Sequence, residues 1–409
     1  MNKKKRKIYI IILLLVVILS IIISLYNYKI YQEDKNSNIS NLPKLYITGD
    51  VLKLEDKEEK LKVIVKYKSD DLKFETYATI KLQGHLSLQH PKKNYNIVFY
   101  EDETYEQKQN INIKWGSFSK YTLKADWDDS TFTKNVVNSR IAADIFKKYG
   151  YYENTPHNGT IDGFPIEIYI NDEYHGLYNL NLNKEYMFYE ENEKDYTLIS
   201  GNGTINYANI KQETLEWNYF EVEVGEDNQE TLDNLNRVLN FIYNSSDDEF
   251  KNEINNYLDL DSLLNYYCFA RYAELWDNLS NNFYLLTYDG KLWYQVFYDL
   301  NLSHTDAEIA NEKIESFEKY VSGLTLWSKL ERNFGKELSE RYKELRKDVL
   351  SKKYIMNKFN EYKNSIPEVA YNNELSKWVR AIDTIDEIEY FIDKNTPITD
   401  KYFEELGKK

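Results

Sequence analysis

A chain of 409 residues that is 42% hydrophobic and 15% aromatic, with 38 Tyr and 18 Phe, is neither a disordered nor a collagen-like polymer. It has enough apolar surface for one bilobal body or two compact domains. Its 52 basic and 67 acidic side chains give a formal charge of −15, and with the five cations at positions 3–7 set aside the remainder stands at 47 against 67, or −20. Such a body repels phosphate backbones, so nucleic acid is not expected as a partner. Cys268 is alone, which rules out an internal disulfide and a cysteine-based zinc site. Its apolar neighbours make it a small buried residue.

In chain order, residues 1–7 form a basic tail. Ile8 to Tyr26 is a run of 19 uncharged residues, about 28 Å as a helix, which predicts an N-terminal transmembrane signal anchor. The cations ahead of it would keep the N-terminus cytoplasmic and the body outside a cell membrane. Residues 27–43 read as a polar linker. From 44 to 190, segments such as LKVIVKY (61–67), YATIKLQG (77–84) and YNIVFY (95–100) alternate apolar and polar positions and predict an antiparallel sheet. Within it, Ser130 to Tyr149 switches to helical spacing, with Asp129 or Ser130 as cap and Gly150 as stop. Asn171 and Asp172 mark a turn between two strands. Residues 191–409 read as mainly helical, Asp261 capping one helix, interrupted by a hairpin over 281–300 with its turn at Asp289 and Gly290. The fold class expected is therefore α+β: a protein-kinase-like bilobal fold, with a sheet-rich N-lobe carrying one helix and a mainly helical C-lobe, preceded by one transmembrane helix.

Phosphoryl transfer needs a base beside the acceptor hydroxyl, oxygen ligands for a divalent metal, and a lysine on the phosphates. WDNLSNNFY (276–284) places Asp277 and Asn282 with four residues between them, the spacing of a kinase catalytic loop. Asp299 follows one hairpin later, directly after the apolar run 293–298, where an unpaired carboxylate would be costly without a metal or other partner. The sheet-rich half offers the turn glycine Gly84 and two candidate lysines, Lys93 and Lys124, with Asp144 on the embedded helix as a carboxylate to hold either. The five histidines show no metal spacing, and no G-x-S-x-G elbow occurs.

Four stretches carry a resemblance to a known family: LQGHLSLQHPKKNYNIVFY, LKADWDDSTFTKNVVNSRIAADI, IEIYINDEYHGLYNL and WDNLSNNFYLLTYDGKLWYQVFYDLN. Over roughly residues 44 to 380 the chain resembles the CotH kinases, atypical protein kinases named for spore coat protein H. The resemblance implies ATP with Mg²⁺ or Mn²⁺ as cofactors and a Ser/Thr-containing surface or spore-coat protein as substrate. It implies Asp277 as the catalytic carboxylate, Asn282, Asp299 and Asn301 as metal ligands, and Lys93 as the lysine on the phosphates. Two departures bear on activity: Asn301 stands where the family often has a second Asp, and Gln83 with His85 where Arg-Gly-Asn is common. The alternative is a degenerate kinase fold serving as a binding or scaffold protein of the cell envelope.

Overall fold

The computed structural model describes residues 40–84, 86–190, 195–201, 210, 211, 213, 215, 220–304 and 321–409. Its first half is built from strands β1 (Lys44–Thr48), β2 (Leu61–Lys68), β3 (Lys73–Gln83), β4 (Asn94–Tyr100), the short pair β5 (Ile111–Asn112) and β6 (Ser117–Phe118), then β7 (Lys120–Lys124), β8 (Gly163–Ile170) and β9 (Glu173–Leu182). Seven of them close into a barrel in the order β1-β2-β3-β4-β7-β9-β8. The seam is the parallel pairing of β1 with β8, from Lys44 against Glu167 to Ile47 against Ile170, and the other neighbours are antiparallel.

Period-two alternation explains the closure. Val63, Val65, Ile80, Ile97, Tyr121 and Leu123 point into one sealed apolar core, while their neighbours Lys81, Asn96, Thr122 and Lys124 face outward. Asn171 and Asp172 make the β8–β9 turn with φ of 51° and 65°, the left-handed pair that a two-residue hairpin requires.

The embedded helix α1 (Lys134–Lys148) begins later than the sequence suggests, with Thr133 at its N-cap, although Asp129 still serves its first turn. The Asp129 carboxylate accepts from the backbone N–H groups of Thr131, Thr133 and Lys134 at 3.0, 2.9 and 2.7 Å, and Gly150 follows the end with a φ of 74°. Its apolar face, Val136, Ile141, Ile145 and Phe146, does not enter the barrel. It joins a second core shared with the rest of the chain.

That second part contains β10 (Thr197–Gly201), β11 (Phe220–Val224), α2 (Gln229–Asn244), α3 (Asp247–Glu253), α4 (Leu260–Ala273), β12 (Phe283–Thr287), β13 (Trp293–Val296), α5 (Thr325–Arg346), α6 (Lys352–Asn364), α7 (Glu368–Lys377) and α8 (Ile385–Leu406). Asp259, not Asp261, caps α4 by accepting from Ser262 N–H at 2.7 Å. The predicted hairpin is present as β12 and β13. It belongs to a four-stranded sheet in the order β11-β10-β12-β13 that the helical reading of this region missed. Phe297 ties the parts together, its ring 5.5 Å from Phe146 of α1 and 4.4 Å from Tyr266 of α4.

The expected kinase-like bilobal fold is thus corrected. An open sheet would have left two edges and kept its helix as its own cover, whereas β1 and β8 pair to remove the edges and α1 packs into the second core. The expected N-terminal transmembrane helix and single-pass cell-membrane placement find no support among the described residues. No helix among the described residues is long and apolar enough to cross a membrane. The longest, α5 and α8 with 22 residues each, carry charged side chains on their exposed faces. The segment 8–26 lies outside the described residues.

Candidate phosphate-handling cleft

Between the outer wall of the barrel and the segment 277–302 lies a cleft of about 1000 Å³. The barrel presents Lys81, Asn96, Thr122 and Lys124 to it, and the second part presents Asp277, Asn282, Tyr284, Tyr298, Asp299 and Asn301. Five of the eight residues singled out from sequence therefore meet here on both walls, Asp277, Asn282, Asp299, Asn301 and Lys124, with Gly84 at the rim as a sixth.

The four-residue spacing from Asp277 to Asn282 is a folded turn after α4. The Asp277 carbonyl accepts from the N–H groups of Ser280, Asn281 and Asn282 at 3.3, 2.7 and 3.0 Å. Its carboxylate accepts from the side-chain amides of Asn281 and Asn282 at 2.6 and 2.7 Å. Burial raises the Asp277 carboxyl above its ordinary range; the Asn281 bond pulls it down, and the negative charge of Asp299 pushes it up again.

Asp299 follows β13 in a left-handed conformation, φ 54°, which is strained for a residue with a Cβ. Helix α1 supplies the restraint. Asn135 Oδ1 accepts from Leu300 N–H at 3.0 Å, and Asn138 Nδ2 donates to the Leu300 carbonyl at 3.2 Å and to Ser303 Oγ at 2.6 Å. Asn278 Nδ2 donates to the Tyr298 carbonyl at 2.7 Å, so the turn and the strained residue are tied to each other.

Lys124 Nζ lies 3.3 and 3.4 Å from the two Asp299 oxygens. Burial alone would lower its ammonium pKa, but Asp299, Tyr298 and Asp126 outweigh it and the net shift is upward. Nearby Asp126, itself left-handed at φ 44°, is raised to about 6 by burial and by Asp129, against the pull of Lys124.

Two candidates fall outside. Lys93 turns its ammonium to the Leu88 carbonyl, 2.5 Å away, and is not among the cleft residues. Asp144 is on the far side of α1, bound by the Tyr354 hydroxyl and by Lys358, each at 2.7 Å, and holds neither lysine. Gly84 has φ 106°, and a Cβ there would come within 2.0 Å of Ser87 Oγ, so the turn needs glycine. His85 lies outside the described residues.

The sequence reading passed over Lys184, which pairs with Glu223 inside the cleft while Ser200 Oγ donates to the same carboxylate at 2.8 Å. No spacing linked these three residues. Lys120 and Thr122 were passed over too, although alternation along the strand KYTLK puts them on the face of Lys124.

Hard oxygen donors thus face lysines across one cleft. A family model described as CotH kinase protein matches residues 80–396, and the chain belongs to that family. Its function is accordingly kinase-like. Among curated proteins none matches.

Proposed function

We propose that this chain transfers the γ-phosphoryl group of ATP to a Ser or Thr hydroxyl of a protein substrate, with Mg²⁺ or Mn²⁺. One observation carries the reading: Asp277 and Asp299, separated in sequence by a hairpin, share one cleft with Lys124, whose ammonium lies 3.3 Å from Asp299. Among the described residues no three His, Cys, Asp or Glu side chains converge on a metal-sized point. The donor set is instead two carboxylates and two amides, all oxygen ligands of the kind hard divalent cations take. Asp299, Asn282 and Asn301 would hold the ion, which when bound supplies charge neutralisation for the phosphates.

The chain's own groups divide the remaining work. Asp277, clamped by Asn281 and Asn282, accepts the proton of the acceptor hydroxyl as its oxygen bonds to the γ-phosphorus. The bond from that phosphorus to the bridging oxygen breaks, and ADP leaves with its electron pair. Lys124 holds a phosphate oxygen and exchanges it for Asp299 when the cleft is empty. Tyr284 and Tyr298, buried on the same wall, exclude water.

The test is incorporation of labelled phosphate from ATP with Mg²⁺ or Mn²⁺ into a Ser-rich acceptor. Asp277→Ala should lower incorporation by a factor of roughly 10² to 10⁴, the range for loss of a positioned base, and Asp299→Ala should abolish the metal dependence. Equal incorporation by wild type and both variants would sink the assignment.

Asn301 favours a second reading. An amide in the place of a carboxylate gives a neutral ligand, and a non-catalytic binding protein would need no more. That reading expects wild type to show neither incorporation nor metal-dependent heat with ATP.

A further inference from the structure

Six lysines line the cleft, and five of them are matched by a carboxylate: Lys57 by Glu58, Lys92 by Glu374, Lys120 by Glu185, Lys124 by Asp299 and Lys184 by Glu223. Lys81, on the outer face of β3, has no hydrogen-bonded or ion-paired partner among the described residues. It is half-buried, and its surroundings do not favour its charge: burial lowers its ammonium pKa, and Lys120 adds to the effect. The charged groups acting on it are Lys120, Glu58, Lys60 and Glu185. Counting Lys81, three ammonium groups meet two carboxylates, a local cationic excess in a chain of net −15.

The residue facing Lys81 supplies neutral donors. Asn96 of β4 is its direct register partner, and Thr122 of β7 is the partner of Asn96 in turn. The Asn96 oxygen is occupied, accepting from Thr122 Oγ1 at 2.9 Å and from Asn183 Nδ2 at 3.3 Å. That fixes the amide orientation and leaves its N–H₂ group to donate elsewhere. A partly desolvated cation beside oriented N–H donors is complementary to a phosphate oxygen and has no such partner among the described residues. Lys124 sits on the same wall, two strands across and two residues along, about 10 Å by about 7 Å from Lys81 at the backbone. Two long side chains lining one cleft at that separation can serve the two ends of one phosphate chain.

We propose that Lys81 and Asn96 form a phosphate subsite for the nucleotide phosphates remote from the transferred one, while Lys124 serves the transferred group. The proposal rests on the ATP reading of the cleft and names the residues that give ATP its tail-end affinity.

Calorimetry on the full chain with MgATP, with inorganic tripolyphosphate and with adenosine tests it. Lys81→Gln should weaken MgATP and tripolyphosphate by roughly tenfold, about 1.4 kcal/mol, and leave adenosine unchanged. Lys81→Arg should restore most of the loss. Lys73→Gln, the same charge change on an exposed position of the same strand, should shift neither. Wild-type binding of MgATP that Lys81→Gln leaves intact overturns the subsite and spares the ATP reading. Lys81-dependent binding of tripolyphosphate without binding of MgATP supports the subsite and overturns the ATP reading. Absence of both from wild type overturns both.

Discussion

Lys92 and Lys124 both stand on the barrel and both reach a carboxylate supplied by the second half of the chain, yet one pair is a fastener and the other is open to exchange. The Lys92–Glu374 pair, 2.7 Å long, has both side chains 0% exposed, whereas Lys124 and Asp299 retain 8% and 25%. Lys92 also donates to the Leu177 and Ala125 carbonyls, so its three N–H groups are consumed. Glu374 accepts in addition from Leu177 N–H at 2.8 Å, and Arg380 approaches it to 3.4 Å while donating to the Asp126 and Trp127 carbonyls at 2.7 and 2.8 Å. Burial lowers the Lys92 ammonium to about 8 even with Glu374 beside it, while Lys124 is held above its ordinary value against burial. A cation with every donor used and no water has one possible partner. A cation with donors to spare at the edge of a cleft can trade its carboxylate for a phosphate oxygen. The same ion-pair chemistry therefore locks the C-terminal helices onto the barrel in one place and leaves a partly exposed pair at the edge of a cleft in the other.

The sharpest way to break this contrast is to delete one carboxylate from each pair. Glu374→Ala strands a buried ammonium and the Leu177 N–H and should cost about 3–5 kcal/mol of folding stability by denaturant unfolding. Replacing both partners, Lys92→Met with Glu374→Leu, should recover most of that. Asp299→Ala, by contrast, should cost less than about 1 kcal/mol, as for partly exposed pairs, with its effect appearing in phosphate transfer. Equal destabilisation by the two single deletions would erase the distinction.

Why the two lysines of QHPKKNYNIVFY parted as they did was not legible in the sequence. Both lysines precede β4 in the turn that follows Pro91, and nothing local says that the partner of Lys92 is Glu374, 282 residues away. The strands of the barrel, α1, the Asn171–Asp172 turn and the hairpin after Asp277 were readable because each is set by neighbours within a few positions. Closure was not, since it depends on β1 meeting β8 across more than a hundred residues of chain. The same holds at the site. Asp277 and Asn282 form a local turn and Asp299 ends a local hairpin, so their spacing was informative. The sequence offers Asp144 as a carboxylate for either lysine because it lies on the helix between the strands, but α1 packs into the second core and Asp144 meets Tyr354 and Lys358.

A smaller effect probes how the open pair is aimed. Asn135→Ala removes the acceptor of the buried Leu300 N–H, a loss of about 1–3 kcal/mol, and releases the residue that follows Asp299. The left-handed conformation of Asp299 then has one restraint fewer, and transfer should slow by about tenfold or more, as small misplacements of reacting groups do. Asn135→Asp, which keeps the acceptor oxygen, should retain most of the rate. If Asn135→Ala loses stability and keeps full transfer, Asp299 is not aimed through α1.

The smallest effect compares how dry the two regions are. His175 stands at the fastened rim, its carbonyl accepting from Trp378 Nε1 at 2.7 Å and its ring 5.6 Å from that indole, and burial first, then Lys92 and Lys377, lower it to about 4. His304 lies beneath the cleft floor with Nε2 3.1 Å from Asn138 Oδ1 and rings of Phe359 and Phe391 each at 5.4 Å, and burial, then Lys134, lowers it to about 3. Both are neutral in the native state at pH 7, whereas the unfolded chain protonates them near 6.5. The unfolded state therefore binds the extra proton, and the stability present above pH 6.5 is lost as pH falls toward about 4 for His175 and about 3 for His304. Each histidine contributes a slope of up to about 1.4 kcal/mol per pH unit, measured as the difference between wild type and His175→Gln or His304→Gln in unfolding titrations from pH 7 to 5. Taking the difference removes Asp126, which is raised to about 6 and so acts in the opposite sense over the same range. Equal slopes from the two histidines would mean that the floor under Asp299 is as closed as the rim around Glu374. A shallower slope for His304 alone would show water entering beneath Asp299, placing the boundary between fastener and site one layer deeper than the Lys124 pair.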